Sequence, residues 1–102
     1  MSLQQLLDED RRLVVLQCLS EANDYALNES LIERMLNTFR VGIVGRDIVR
    51  GHLTWLAQNG LVTIEHLDKA PAAVLWVGKL TKLGLEVAQG RPWPGVARPN
   101  PA

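Results

Sequence analysis

The chain has 102 residues, nearly half of them apolar, and a formal charge of zero; that length supports one domain around a single core. Its one cysteine, Cys18, excludes an internal disulfide and a cysteine-rich zinc site, and fits a reducing compartment. No apolar run approaches the roughly 18 residues of a spanning helix, and the start MSLQQLLDEDRR lacks the basic residues of a secretion signal, so the expectation is a cytoplasmic protein with no membrane partner. Ser2 followed by Gln5 has the form of a capping box, and a helix is expected from there, its main body running from Asp8 to about Ala22. LVVLQCL is apolar on nearly every side, which makes this the most buried helix, and Cys18 reads as a small buried hydrophobe.

Asn23-Asp24 marks a turn, Tyr25 to Leu27 is long enough for a minimal strand, and Asn28 offers an N-cap. In the second helix Leu31, Ile32, Met35, Leu36 and Phe39 recur at three and four residues, leaving Glu29, Glu33, Arg34 and Asn37 for solvent. Gly42 and Gly45 set its end, and the short connection VGIVG requires the next helix to cross steeply. With Gly45 as N-cap, that third helix turns Ile48, Val49, His52, Leu53 and Leu56 inward and Asp47, Arg50, Gly51, Thr54 and Gln58 outward. Asn59-Gly60 closes it. Leu61 to Leu67 and Ala73 to Leu80 read as an antiparallel hairpin around Asp68-Lys69-Ala70-Pro71. Thr81 caps a last helix that Gly90 ends. Residues 1–90 therefore form the domain, and residues 91–102, with four of the five prolines, form a tail. Trp93 between two prolines is expected to dock, either on its own domain or on a partner.

Charge is unevenly spread. Residues 1–32 sum to −4, residues 33–58 to +2 and residues 59–102 to +2. Neutrality argues against indiscriminate coating of nucleic acid, because Lys and Arg supply most non-specific affinity; an acidic front with a basic remainder suits a module that turns one face to DNA.

The order of elements, the helix ending WLAQNGLV and the closing LTKLGLEVA resemble the winged helix-turn-helix domain of small bacterial regulators, including the arsenical-resistance-repressor and multiple-antibiotic-resistance-repressor types. More narrowly, LLDEDRRLVVLQCL, LNES, the RD and WL of the third helix, and Gly90 with PGVARP resemble a small winged-helix protein carried by Mu-like phages and prophages, over nearly the whole chain. The resemblance implies a mostly α fold with a small β-hairpin: helix, short strand, helix, helix, two-stranded wing, C-terminal helix. It also implies a duplex-DNA-binding regulator of transcription in a bacterial host, or an accessory protein using the same scaffold to bind a phage or host protein. The metal-sensing branch carries paired cysteines in its third helix; GRDIVRGHLTWLAQ has none, so neither metal nor cofactor is expected.

In such domains the third helix enters the major groove and the wing lies beside the backbone or minor groove. Carried over, this points to Arg46, Asp47, Arg50, Thr54 and Gln58, with Lys69 at the wing tip. Arg50 has the geometry for guanine and Gln58 for adenine, although a solvated helix face carries the same residue types. Arg46 fits a phosphate. Asp47, Glu65 and Asp68 depart from the pattern, since they repel phosphate unless they meet cytosine amino groups or basic side chains. Gly51 in mid-helix costs about 1 kcal/mol relative to alanine, to be offset by close approach of a helix or a DNA strand, or absorbed by packing. His52 reads as a satisfied core or boundary histidine rather than a ligand, and Trp55 and Trp76 as core or dimer-contact residues. No Gly-rich phosphate loop, GxSxG or HExxH is present, and the adjacent acids Asp8 to Asp10 diverge around their helix. A non-enzymatic homodimer is expected, because paired half-sites are how small modules gain affinity.

Overall fold

The computed structural model describes residues 2–39, 44–69 and 73–99. Ser2 closes the expected capping box: its hydroxyl accepts from the Gln5 N–H at 3.1 Å, and its own N–H donates to Gln5 Oε1 at 2.8 Å. A single helix, α1 (Leu3–Glu21), follows without a break at Asp8. Its buried residues are Arg11, Leu13, Val15, Leu16 and Leu19, while Leu3 and Leu6 lie exposed on the first turns. Cys18 is half-buried, and burial followed by the nearby Glu21 carboxylate pushes its thiol pKa up, the reverse of an activated nucleophile.

Asp24 and Tyr25 both adopt φ 57°, and this left-handed pair turns the chain into β1 (Ala26–Asn28). The Asn28 side chain then accepts from the Leu31 N–H at 2.9 Å and caps α2 (Glu29–Thr38). Here the expected phase is corrected. The buried residues of α2 are Glu29, Ile32 and Leu36, whereas Leu31, Met35 and Phe39 are 38%, 37% and 57% exposed. The spacing of three and four is the predicted one, but the buried stripe starts on a carboxylate. Gly42, read as ending this helix, lies outside the described residues. Asn37 is exposed, as expected, and also exchanges hydrogen bonds with the backbone of Val44, which is buried, and so fixes the approach to the next helix.

The third helix, α3 (Arg46–Gln58), starts after Gly45 and hides Val49, Leu53 and Leu56 completely. Ile48, expected inward, is 44% exposed, so the apolar stripe is narrower than its pattern suggested. Gly60 at φ 73° turns the chain sharply, and the Leu61 N–H closes on the Leu56 carbonyl at 2.9 Å. Then β2 (Val62–Lys69) and β3 (Ala73–Leu80) pair antiparallel from Val62↔Leu80 to Lys69↔Ala73, the turn at Ala70-Pro71 lying outside the described residues. The short strand joins the hairpin: β1 pairs with β3 through Ala26↔Lys79, Leu27↔Gly78 and Asn28↔Val77, giving a three-stranded sheet in the order β1-β3-β2. The described part of the chain is thus mostly helical with one small antiparallel sheet. Thr81 caps α4 (Lys82–Ala88) by accepting from the Gly84 N–H at 3.0 Å.

Residues 91–99 turn back onto the body. Trp93 Nε1 donates to Asn59 Oδ1 at 3.2 Å, the Ala97 N–H donates to the Glu9 carbonyl at 3.1 Å, and Val96 is buried. The Arg12 guanidinium lies 4.1 Å from the Trp55 ring centroid and donates to the Gly95 carbonyl at 3.0 Å. Of the two docking sites open to Trp93, the structure therefore shows its own domain. No described helix is long and apolar enough to cross a membrane.

His52 is buried between α3 and α1, but it is not satisfied: Nε2 has no hydrogen-bond partner and lies 3.6 Å from Asp8 Oδ1. Burial, then the Arg12 charge, lowers its pKa to about 4, against the opposing pull of Asp8. The unfolded chain therefore takes up this proton first as pH falls, and the neutral imidazole's contribution is complete only above the ordinary pKa near 6.5. Urea titrations should show the wild type losing about 2 kcal/mol between about pH 7 and about pH 5, and His52→Leu losing much less.

Candidate nucleic-acid interface

The outward side of α3 carries Asp47, Ile48, Gly51, Thr54 and Gln58, all exposed. Their side chains are short except at Gln58 and Ile48. Thr54 returns its hydroxyl to the Arg50 carbonyl at 2.8 Å, which leaves its methyl and hydroxyl oxygen outside. A Cβ added at Gly51 would meet nothing within 4 Å, so no described neighbour explains the glycine. Close approach of another helix of the same chain is thus not its reason. Gly51→Ala should accordingly stabilise the isolated protein by about 1 kcal/mol, measured as a rise in urea midpoint.

The two arginines of α3 behave differently from this strip. Arg50 donates from Nε to Glu29 Oε1 at 2.6 Å and from Nη2 to Glu29 Oε2 at 2.9 Å, a paired contact with a carboxylate that is 0% exposed. Glu29 Oε2 also accepts the Trp76 N–H at 2.6 Å, and Arg50 Nη2 donates to the Val74 carbonyl at 3.2 Å. The sheet register explains the arrangement. Strand β1 ends at Asn28 opposite Val77, while Trp76 N–H and Val74 C=O, two residues apart, open onto the same edge of β3. The Glu29 and Arg50 side chains take the positions a longer β1 would have filled. They also bolt the hairpin to α2 and α3. The Arg50 guanidinium lies 4.7 Å from the Trp76 ring centroid, and that indole stacks on the exposed His66 at 4.8 Å and 10°. The Arg50 hydrogen bonds lower the Glu29 pKa against the opposing effect of burial, with the Trp76 N–H adding to the shift.

Arg46 is held more loosely. Its Nε lies 3.5 Å from Glu33 Oε1 and 3.7 Å from Glu29 Oε1, yet it makes no hydrogen bond. Of the residues named from the sequence, Asp47, Thr54 and Gln58 therefore share one exposed face, Arg46 borders it, and Arg50, partly exposed like Arg46, is held against Glu29. The side chain of Lys69 lies outside the described residues. Among the described hairpin residues Glu65, His66, Leu67 and Asp68 are exposed, so this end of the hairpin carries two carboxylates, the departure from a phosphate-facing pattern that the sequence suggested. Glu29 escaped the sequence reading because a carboxylate counts as polar in any periodicity. The available signal was its spacing to Ile32 and Leu36. Among the described residues no group of His, Cys, Asp or Glu is placed to hold a metal ion.

No protein-family model matches the chain. The uncharacterized protein gp26 of Escherichia phage Mu is 43% identical over 97 residues, 94% of each chain. An uncharacterized protein of Haemophilus influenzae is 51% identical over 67 residues, which cover 66% of this chain and 64% of that one. The narrower resemblance, to Mu-like phage proteins, agrees with both the extent and the source of the first match, and the chain belongs to the family of the phage Mu protein gp26.

Proposed function

We propose that the protein is a non-enzymatic, duplex-DNA-binding winged helix-turn-helix domain, a phage or prophage regulator of transcription that lays α3 in the major groove with the β2–β3 wing beside it. One observation carries this reading: on the exposed strip of α3 Asp47 and Thr54 are short, and a Cβ added at Gly51 would meet nothing within 4 Å. Such a surface lets a helix axis approach a groove closely. The order of elements and the sheet order β1-β3-β2 support the same reading. In this reading Gln58 meets adenine, Asp47 a cytosine amino group and Thr54 a thymine methyl, because those edges match them. Arg46 meets a phosphate and Lys69 the backbone beside the wing tip. Arg50 sets the wing against α3 without reading a base. Two copies on paired half-sites supply the affinity that one neutral module lacks.

A fluorescence-anisotropy titration against fragments of phage control DNA at about 50 mM salt tests it. The wild type should select one fragment, and Thr54→Ala with Gln58→Ala should cost about tenfold or more on that fragment while leaving weak binding to other DNA unchanged. Absence of any selective binding would refute the reading. A second reading, an accessory protein that binds a protein partner, is favoured by the exposed stripe of Leu31 and Met35 on α2 with Phe39 just beyond its end. That stripe borders a cleft of about 210 Å³ lined by Cys18, Glu21, Ala22 and Leu27 together with Met35 and Phe39.

A further inference from the structure

We infer that Glu33 is an internal competitor of DNA phosphate for Arg46, so that this one carboxylate on α2 sets how strongly α3 engages the backbone. The inference rests on the DNA-binding reading and adds to it a mechanism that the reading does not require.

The two α3 arginines lie against one fully buried carboxylate, and Arg50 holds the close positions on it. Glu29 Oε1 accepts Arg50 Nε at 2.6 Å, and Oε2 accepts both Arg50 Nη2 and the Trp76 N–H. Arg46, 3.7 Å from Glu29 Oε1, is left outside hydrogen-bonding range. What remains for it is Glu33 at 3.5 Å, with side chains 39% and 28% exposed and no hydrogen bond at Arg46 Nε. A half-exposed pair of this kind is worth little, typically up to about fivefold in an equilibrium constant. A DNA phosphate is a stronger partner, since it can take the guanidinium in two parallel hydrogen bonds and release counterions, whereas Glu33 as placed accepts no hydrogen bond from Arg46 Nε. Arg46 is therefore the displaceable cation of α3, tethered beside the exposed strip and released when a phosphodiester replaces Glu33. Arg50, with its carboxylate sealed from solvent, is not displaceable. The same difference accounts for a basic helix on a neutral protein: one arginine serves the fold permanently, and the other is lent to it until DNA arrives.

The test is a double-mutant cycle on Glu33 and Arg46, read by anisotropy with a fluorescein-labelled duplex of mixed sequence. Glu33→Gln should tighten binding about two- to fivefold in the wild-type background, with the melting temperature nearly unchanged. In the Arg46→Gln background the same change should do almost nothing, and the salt slope should be shallower by about one. An equal gain in both backgrounds would mean that Glu33 acts only as a distant negative charge, which overturns the inference and leaves the DNA reading standing. Binding that is measurable but indifferent to Glu33→Gln overturns it as well. No binding by any of the four proteins at low salt removes the DNA reading and the inference together.

Discussion

Glu29→Ala is expected to destabilise the domain by about 3–5 kcal/mol, the usual range when a buried ion pair loses one partner. At this chain length that is a fall of about 15 °C or more in melting temperature. Three contacts go at once: the Arg50 fork, the acceptor for the Trp76 N–H, and the pull on Arg46. Glu29→Gln keeps an acceptor for Trp76 and part of the fork, so its loss should be smaller. Arg50→Gln should also lower the melting temperature, because it strands a carboxylate with no access to water. This outcome separates two roles for Arg50. Were it a base reader, its removal would leave stability unchanged and cost about ten- to hundredfold in affinity for one site. The pair also gives a pH dependence. Because the Glu29 pKa is lowered in the fold, its contribution is present above the ordinary carboxylate range and is lost as pH falls through the folded value. Acid unfolding monitored by circular dichroism should therefore be less steep in Glu29→Gln.

Gly84→Ala should be the most damaging single-methyl change. A Cβ at Gly84 would overlap the Leu61 carbonyl and stand 2.8 Å from Leu80 Cδ1. That carbonyl cannot move aside, because it already accepts from the Thr81 N–H at 3.1 Å and the Thr81 hydroxyl at 3.0 Å. To fit the methyl, α4 must lift, which breaks the Thr81 cap and uncovers Val87 and Ala88. A loss of at least about 3 kcal/mol is expected, at or beyond the upper end for overpacking. The contrast with Gly51→Ala is the control: the same added methyl, placed where nothing stands within 4 Å, should raise stability. Thermal melts of the two variants should move in opposite directions.

These two glycines show what a sequence conveys and what it withholds. LTKLG was legible as a recurring phrase, but not as a helix seated on the Leu61 carbonyl, a contact made across twenty-three residues. Local chemistry was legible throughout: Ser2, Asn28 and Thr81 each cap the helix that begins after them, and Gly60 takes the positive φ its position calls for. Each of those devices needs only the next three or four residues. What stayed hidden depends on partners far along the chain. Glu29 is buried because Arg50 and Trp76, 21 and 47 residues away, receive it; without them a glutamate belongs in water, and Leu31 and Met35 looked like the inward residues. The site divided in the same way. That Val49, Leu53 and Leu56 are hidden and Asp47, Thr54 and Gln58 exposed follows from a helical period. That Arg50, adjacent to Val49, bends into a carboxylate does not.

If α3 lies in the major groove, the face around Gly51 is the one turned to DNA. The most direct measurement is an amide chemical-shift titration of the labelled protein with the fragment it prefers. Shifts concentrated at Asp47, Gly51, Thr54 and Gln58, with the hairpin following, are the expected result. Shifts confined to Leu31, Met35, Phe39 and the neighbouring part of α1, with α3 silent, would contradict it.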